Sequence, residues 1–258
     1  MEYSAKHVLP VPLGLLFTGI LALGAALPQT ATAQNMGDGQ AVMDDKVYTF
    51  FLADQLEHRW NKGQNSIFWD AQGWIGGDYN KLWLKTEGDS LAARADGEAE
   101  VQALYSRSVA PYWDFQAGIR HDRRFGGASN PSRSFAVLGF QGLAPYWFDM
   151  EPTLFIDQDG AISARLTTEY DVRLSQRLIA QPRMEVNASS RKVEAFDVGS
   201  GINDMDLGLR LRYEIRREFA PYIGISWNRR FGQTADMARS AGNDVDNTAI
   251  LAGVRIWY

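Results

Sequence analysis

The sequence predicts an all-β protein, a transmembrane antiparallel β-barrel of about 12 strands behind a cleaved signal peptide. Three observations predict it. After residue 45 apolar and polar residues alternate with period two, the period of a strand, and helical spacing is almost absent. The alternating runs are roughly ten to fifteen residues long, which suits strands tilted across a bilayer better than the five or six residues usual in a soluble sandwich. The chain's last run, Thr248 to Tyr258, closes on an aromatic, a pattern that resembles the assembly signal of outer-membrane barrels.

The signal peptide comes first. Lys6 and His7 precede an apolar run from Val8 to Leu27, Pro28 breaks it, and Ala31-Thr32-Ala33 forms a small-x-small cleavage site. Pro10 and Pro12 at the start of the run argue against a membrane anchor. Residues 1–33 are therefore expected to be removed, 34–45 to form a short periplasmic N-terminal segment, and 46–258 to form the barrel in the outer membrane. No later stretch has the ~20 apolar residues of a membrane helix. The mean hydropathy of −0.28 looks like that of a water-soluble protein, because each barrel strand is half polar.

Alternation places strands at about 46–60, 66–76, 80–87, 97–107, 112–122, 133–143, 146–157, 161–174, 177–188, 203–217, 219–230 and 247–258. In 161–174 the even positions run Ile162, Ala164, Leu166, Thr168, Tyr170, Val172, Leu174, against Arg165, Glu169, Asp171 and Arg173 among the odd. In 205–216 Met205, Leu207, Leu209, Leu211, Tyr213 and Ile215 oppose Asp206, Arg210, Arg212, Glu214 and Arg216. One face suits lipid and the other a lumen. Tight turns are expected at 76–78, 108–110, 143–145, 175–176 and 219–221. Longer polar loops at 88–96, 123–132, 189–202 and 231–246 lie between them, with shorter ones at 61–65 and 158–160. This matches periplasmic turns and extracellular loops. Ala-Pro-Tyr recurs at 110–112, 144–146 and 220–222, each assigned to a short turn with its Tyr at interface depth.

Composition excludes several functions. A net charge of −5 without a Lys/Arg cluster argues against nucleic acid as a partner, and zero cysteines remove disulfides and thiolate chemistry. There is no G-x-S-x-G, zinc His pair or phosphate-binding glycine loop. His121, on the outward face with Trp113, Phe115, Ala117 and Ile119, supports an alternative reading as a lipid-modifying enzyme of the outer membrane. No Ser stands at a spacing that suggests a nucleophile, so an interface His is preferred. Arg165, Arg173, Arg177, Arg183, Arg210, Arg212 and Arg216 share strands with acidic residues, and such a lumen is expected to form a hydrogen-bonded network that narrows or closes the pore. A general diffusion porin is the other alternative.

The run Asp54-Gln55-Leu56-Glu57, the block from Phe68-Trp69-Asp70 through Trp74-Ile75-Gly76-Gly77-Asp78-Tyr79 to Lys85, and Glu98-Ala99-Glu100-Val101-Gln102 resemble the copper resistance protein B family. So do Ala110-to-Asp114, Tyr146-to-Asp157 and the aromatic end, so that the resemblance spans 45–258. It implies a barrel, with no enzymatic activity, that helps a bacterium tolerate copper by binding it or aiding its export. Its partners would be outer-membrane lipid, copper ions and periplasmic copper-handling proteins. Thioethers suit Cu(I), and imidazole and carboxylate suit Cu(II). The chain departs from the long Met- and His-rich segment of many members, for its tail holds no His and offers Met36, Met43, Asp44 and Asp45. In the barrel the candidate ligands are Asp54, Glu57, His58 and Asp70. Parity puts 54 and 58 on one face and 57 on the other, so a bulge is needed to bring them together.

Overall fold

The computed structural model describes residues 46–92, 96–127 and 130–258, so the expected signal peptide and Met36, Met43, Asp44 and Asp45 lie outside the described residues. Twelve antiparallel strands follow in chain order. They are β1 (Tyr48–Trp60), β2 (Ser66–Gly76), β3 (Asn80–Leu91), β4 (Gly97–Ala110), β5 (Trp113–Phe125), β6 (Ser132–Ala144) and β7 (Phe148–Asp157). Then come β8 (Ile162–Glu169, resumed by Val172–Arg173), β9 (Leu178–Ser189), β10 (Gly201–Tyr213), β11 (Phe219–Arg230) and β12 (Asp246–Trp257). Each pairs with its sequence neighbours, and β12 pairs with β1 from Leu52↔Trp257 to Trp60↔Ile250, which closes the barrel. Phe51 and Tyr258 exchange two backbone hydrogen bonds of 2.9 Å, so the aromatic terminus ties the seam.

The interruption in β8 has a local cause. Glu169↔Arg183 and Val172↔Ala180 keep one register, and Tyr170 N–H donates to Pro182 O at 3.1 Å. Pro182 has no N–H to return, so the ladder lapses there without a slip. A second irregularity lies in β1. Ala53 pairs Ala71 and Gln55 pairs Asp70, which leaves Asp54 as the extra residue of a bulge.

The outer face is apolar and exposed. Leu207, Leu209, Leu211, Ile223, Ile225 and Ile250 belong to a continuous belt far larger than a soluble monomer tolerates. Exposed Tyr79, Tyr112, Tyr146, Trp147 and Tyr258 ring the end where the turns are short. An apolar belt edged by aromatics on a closed barrel is the solution to crossing lipid with strands, and it places the chain in an outer membrane.

Three expectations are corrected. Tyr112 and Tyr146 sit in short turns with left-handed φ of 68°, but the third Ala-Pro-Tyr lies inside β11 and the turn before it falls at 214–218. Pro221 pairs Val254 within the ladder, and its neighbour Tyr222 turns into the lumen at 5% exposure instead of reaching the interface. The loop expected at 231–246 contains a helix, α1 (Gly232–Ser240), with Thr234, Ala235 and Ala238 buried. Gly199 N–H donates to Thr234 Oγ1 at 2.9 Å, and Ser200 donates to Gln233 Oε1, so α1 is fastened to the loop between β9 and β10.

Candidate functional site

Register decides which polar side chains share the lumen. Asp70 pairs Glu87, Glu87 pairs Glu100, and Glu100 pairs Asp122, so four carboxylates stand side by side across β2 to β5. Like charges directly opposite repel, and the row persists only because guanidinium groups stand among its members. Arg165 reaches across from β8 to Glu87 at 3.0 Å and Glu100 at 2.9 Å. Arg120 bridges Glu100 at 2.6 Å and Asp122, and Arg133 takes Asp122 at 3.0 Å. Arg183 is 3.5 Å from Asp70 and 3.1 Å from Glu169. Bidentate guanidinium groups suit such shared contacts.

A second cluster is built on the β1 bulge. Past the bulge the parity of β1 reverses, so Asp54, Gln55 and Glu57 all face inward. Arg210 donates to both oxygens of Glu57 at 3.0 and 3.1 Å and to Gln55 Oε1 at 2.6 Å. Tyr222 donates to Glu57 Oε2 at 3.0 Å, and Arg59 donates to Glu57 Oε1 at 2.7 Å. Asp54 instead accepts from Arg255. The required bulge is therefore present, yet it assigns Asp54 and Glu57 to different arginines and leaves His58 outside. His58 packs edge-on to Trp60, ring centroids 4.7 Å apart.

Between these clusters lies a cavity of about 120 Å³ lined by seven carboxylates and four cationic side chains, with no imidazole and no sulfur. Asp70 lines it. Its exposed wall is Asp149, the second residue of β7, at the short-turn end. Toward the long-loop ends of β6 and β7, Phe135, Val137 and Phe155 pack together with Leu104 and Trp83. Above them the 190–200 loop crosses to β5. Arg124 donates to Ala195 O, Phe196 O and Asp197 Oδ2 at 3.1, 2.8 and 3.0 Å. The guanidinium groups of Arg124 and Arg133 lie 5.2 and 4.1 Å from the Phe196 ring centroid. The lumen is a filled, ion-paired interior strapped at one mouth.

Among the described residues no group of three or more His, Asp or Glu is disposed to hold a metal ion directly. Asp54, Glu57 and Asp70 share the lumen without converging, and His58 does not join them. Of the seven arginines read as lumenal, Arg183, Arg210 and Arg212 are buried inside, Arg165 is half-buried there, and Arg173, Arg177 and Arg216 are exposed. The sequence reading missed Glu87, Glu100, Arg120 and Asp122. Their inward parity was visible, but their adjacency depends on register between strands. It also missed Ser134, which pairs His121 across β5 and β6 with its Oγ 2.9 Å from Nδ1, so a Ser does stand beside this outward His.

A family model described as Copper resistance protein B precursor (CopB) matches residues 47–258. Copper resistance protein B of Escherichia coli is 47% identical over 223 residues, which cover 85% of this chain and 73% of that protein. A Copper resistance protein B homolog of Pseudomonas syringae pv. tomato is 40% identical over 220 residues, with the same coverage of 85% and 73%. The NanC porin structure is similar in fold alone, at a TM-score of 0.53 and 11% identity, covering 78% of this chain and 98% of that one. With a family model spanning the whole barrel and a relative at 47% identity, the chain belongs to the copper resistance protein B family.

Proposed function

We propose that this barrel serves copper tolerance at the cell envelope by binding copper ions or aiding their export, without enzymatic activity. The observation that carries the reading is the 47% identity to a copper resistance protein across the barrel. Copper is its cargo, with outer-membrane lipid around it and periplasmic copper-handling proteins as partners. The available donors divide by softness. Met36 and Met43 of the N-terminal segment suit Cu(I), while Asp44, Asp45, Asp54, Glu57 and Asp70 suit Cu(II). His58 stands on the outer face and is the weakest candidate.

Copper titration of the purified chain tests this reading. Replacing Met36 and Met43 by Leu should remove Cu(I) binding, and Asp54→Asn with Asp70→Asn should weaken Cu(II) binding. Copper binding at background level in the unaltered protein would contradict it.

The His121–Ser134 contact favours a second reading, acyl transfer on lipid at the barrel's outer rim. A nucleophile needs a base that is itself oriented, and among the described residues the His121 ring has no other hydrogen-bond partner. Loss of lipid modification in a His121→Ala variant would support it. A general diffusion porin is disfavoured by the packed, ion-paired lumen.

A further inference from the structure

We propose that the outward patch of His121, Arg123, Ser132 and Ser134, at the long-loop rim of β5 and β6, binds the phosphate of an anionic lipid in the outer leaflet. Register builds the patch. Arg123 pairs Ala99 on one side and Ser132 on the other, and His121 pairs Val101 and Ser134, so two rows lie one above the other on the lipid-facing side. All four polar side chains are exposed. The nearest carboxylates of these strands are taken elsewhere: Glu100 and Asp122 are buried in the lumen, and Glu98 pairs with Arg124. The Arg123 guanidinium has no ion-pair or hydrogen-bond partner among the described residues.

The chemistry of the patch selects its ligand. A guanidinium donates two parallel bonds to phosphate oxygens, and a neighbouring hydroxyl adds a third. His121 Nδ1 lies 2.9 Å from Ser134 Oγ, and either direction of that bond leaves one donor free: the imidazole Nε2–H if the serine donates, the serine O–H if the imidazole does. Beside and below these donors stand Val101 and Ile119, 43% and 67% exposed, so the same face offers an apolar wall under a polar rim. That order fits an amphipathic phosphate ester, its acyl chains along the wall, better than a free anion.

Depth agrees with this ligand. Trp113 opens β5 at the short-turn end, on the same face as Arg123. At about 3.4 Å per residue the two lie about 34 Å apart along the strand, and a tilt of about 40° reduces this to roughly 26 Å, the height of the apolar band of such barrels. Arg123 therefore stands at headgroup level in the leaflet on the long-loop side. Arg-Arg-Phe-Gly occurs at 123–126 and again at 229–232, and the second copy isolates what is particular to the first. Arg229 also stands at the long-loop end, but Asp246 is its direct partner on β12 and its guanidinium lies 5.8 Å from the Phe231 ring centroid. Of the two copies, the one in β5 joins an unpaired guanidinium to hydroxyls. The site goes beyond the copper reading and rests only on the outer-membrane location.

The test is lipid retention by the purified, delipidated full-length barrel in nonionic detergent, measured by native mass spectrometry with diphosphoryl lipid A and with its dephosphorylated form. The unaltered protein should retain the diphosphoryl form and hold the dephosphorylated form about tenfold or more weakly. Arg123→Gln should remove that preference. Arg229→Gln, an equal loss of charge in the second copy of the motif, should keep it. Heat-modifiable gel mobility checks that each variant is folded. If Arg123→Gln does not fold, Ser132→Ala with Ser134→Ala carries the test, and the preference should fall severalfold. No retention of lipid A, equal retention of the two forms by the unaltered protein, an undiminished preference in the folded patch variants, or an equal loss in Arg229→Gln overturns the site. Lipid A recovered from the complex at unchanged mass supports the site and contradicts the acyl-transfer reading.

Discussion

Leu209 and Arg210 are adjacent in β10, and they reverse the rule for a protein in water. Leu209 is 48% exposed and Arg210 is 1% exposed. The apolar face solves its problem by meeting lipid, so it needs no partner inside the protein. The polar face has no such solvent, and its charges must be matched one against another. This difference explains why sequence alternation is so regular on the outside and so particular on the inside. Any apolar residue of suitable size serves the belt, whereas Glu57 requires Arg210, Arg59 and Tyr222 together.

Breaking an inner pair should cost most. Arg210→Met leaves Glu57 buried with less compensation and should destabilise the barrel by about 3–5 kcal/mol, measured by urea unfolding in detergent micelles. The companion double change with Glu57→Met should recover much of that loss, because two matched apolar residues leave no stranded charge. An outer-face change comes next. Leu209→Arg places a charge among lipid tails and should cost about 2–4 kcal/mol by unfolding in bilayers, and less in thin micelles.

Smaller effects probe the strap. Arg124→Ala removes three donated hydrogen bonds to the 190–200 loop and should raise amide exchange there severalfold, with brief conductance steps in planar bilayers. Unchanged exchange would mean that α1 alone holds the loop. The smallest effect is expected at Arg239, whose exposed pair with Asp236 lies on α1. Arg239→Ala should alter stability by less than about 1 kcal/mol.

Most of the barrel was legible because a strand facing lipid on one side carries its period in every residue. The strand ends of β2 and β11 agree with the alternation to the residue. What escaped depends on neighbours. The third Ala-Pro-Tyr has the same residues as the two turns, but Arg212↔Tyr222 and Pro221↔Val254 pairing draws it into β11. Helix α1 was hidden in a polar loop because its buried face is no more than Thr234, Ala235 and Ala238, and it is fastened to the adjacent loop through Thr234 and Gln233. The bulge that turns Glu57 inward was recognised as necessary for convergence, but its place at Asp54 is set by register with both β2 and β12. The carboxylate row was the least visible feature, since no two of its members lie within ten positions of one another.

The most direct test of the account is copper tolerance in cells. Deleting the gene should sensitise the bacterium to copper, and supplying the full chain should restore growth. Unchanged copper tolerance after deletion would contradict the assignment of this barrel to copper handling.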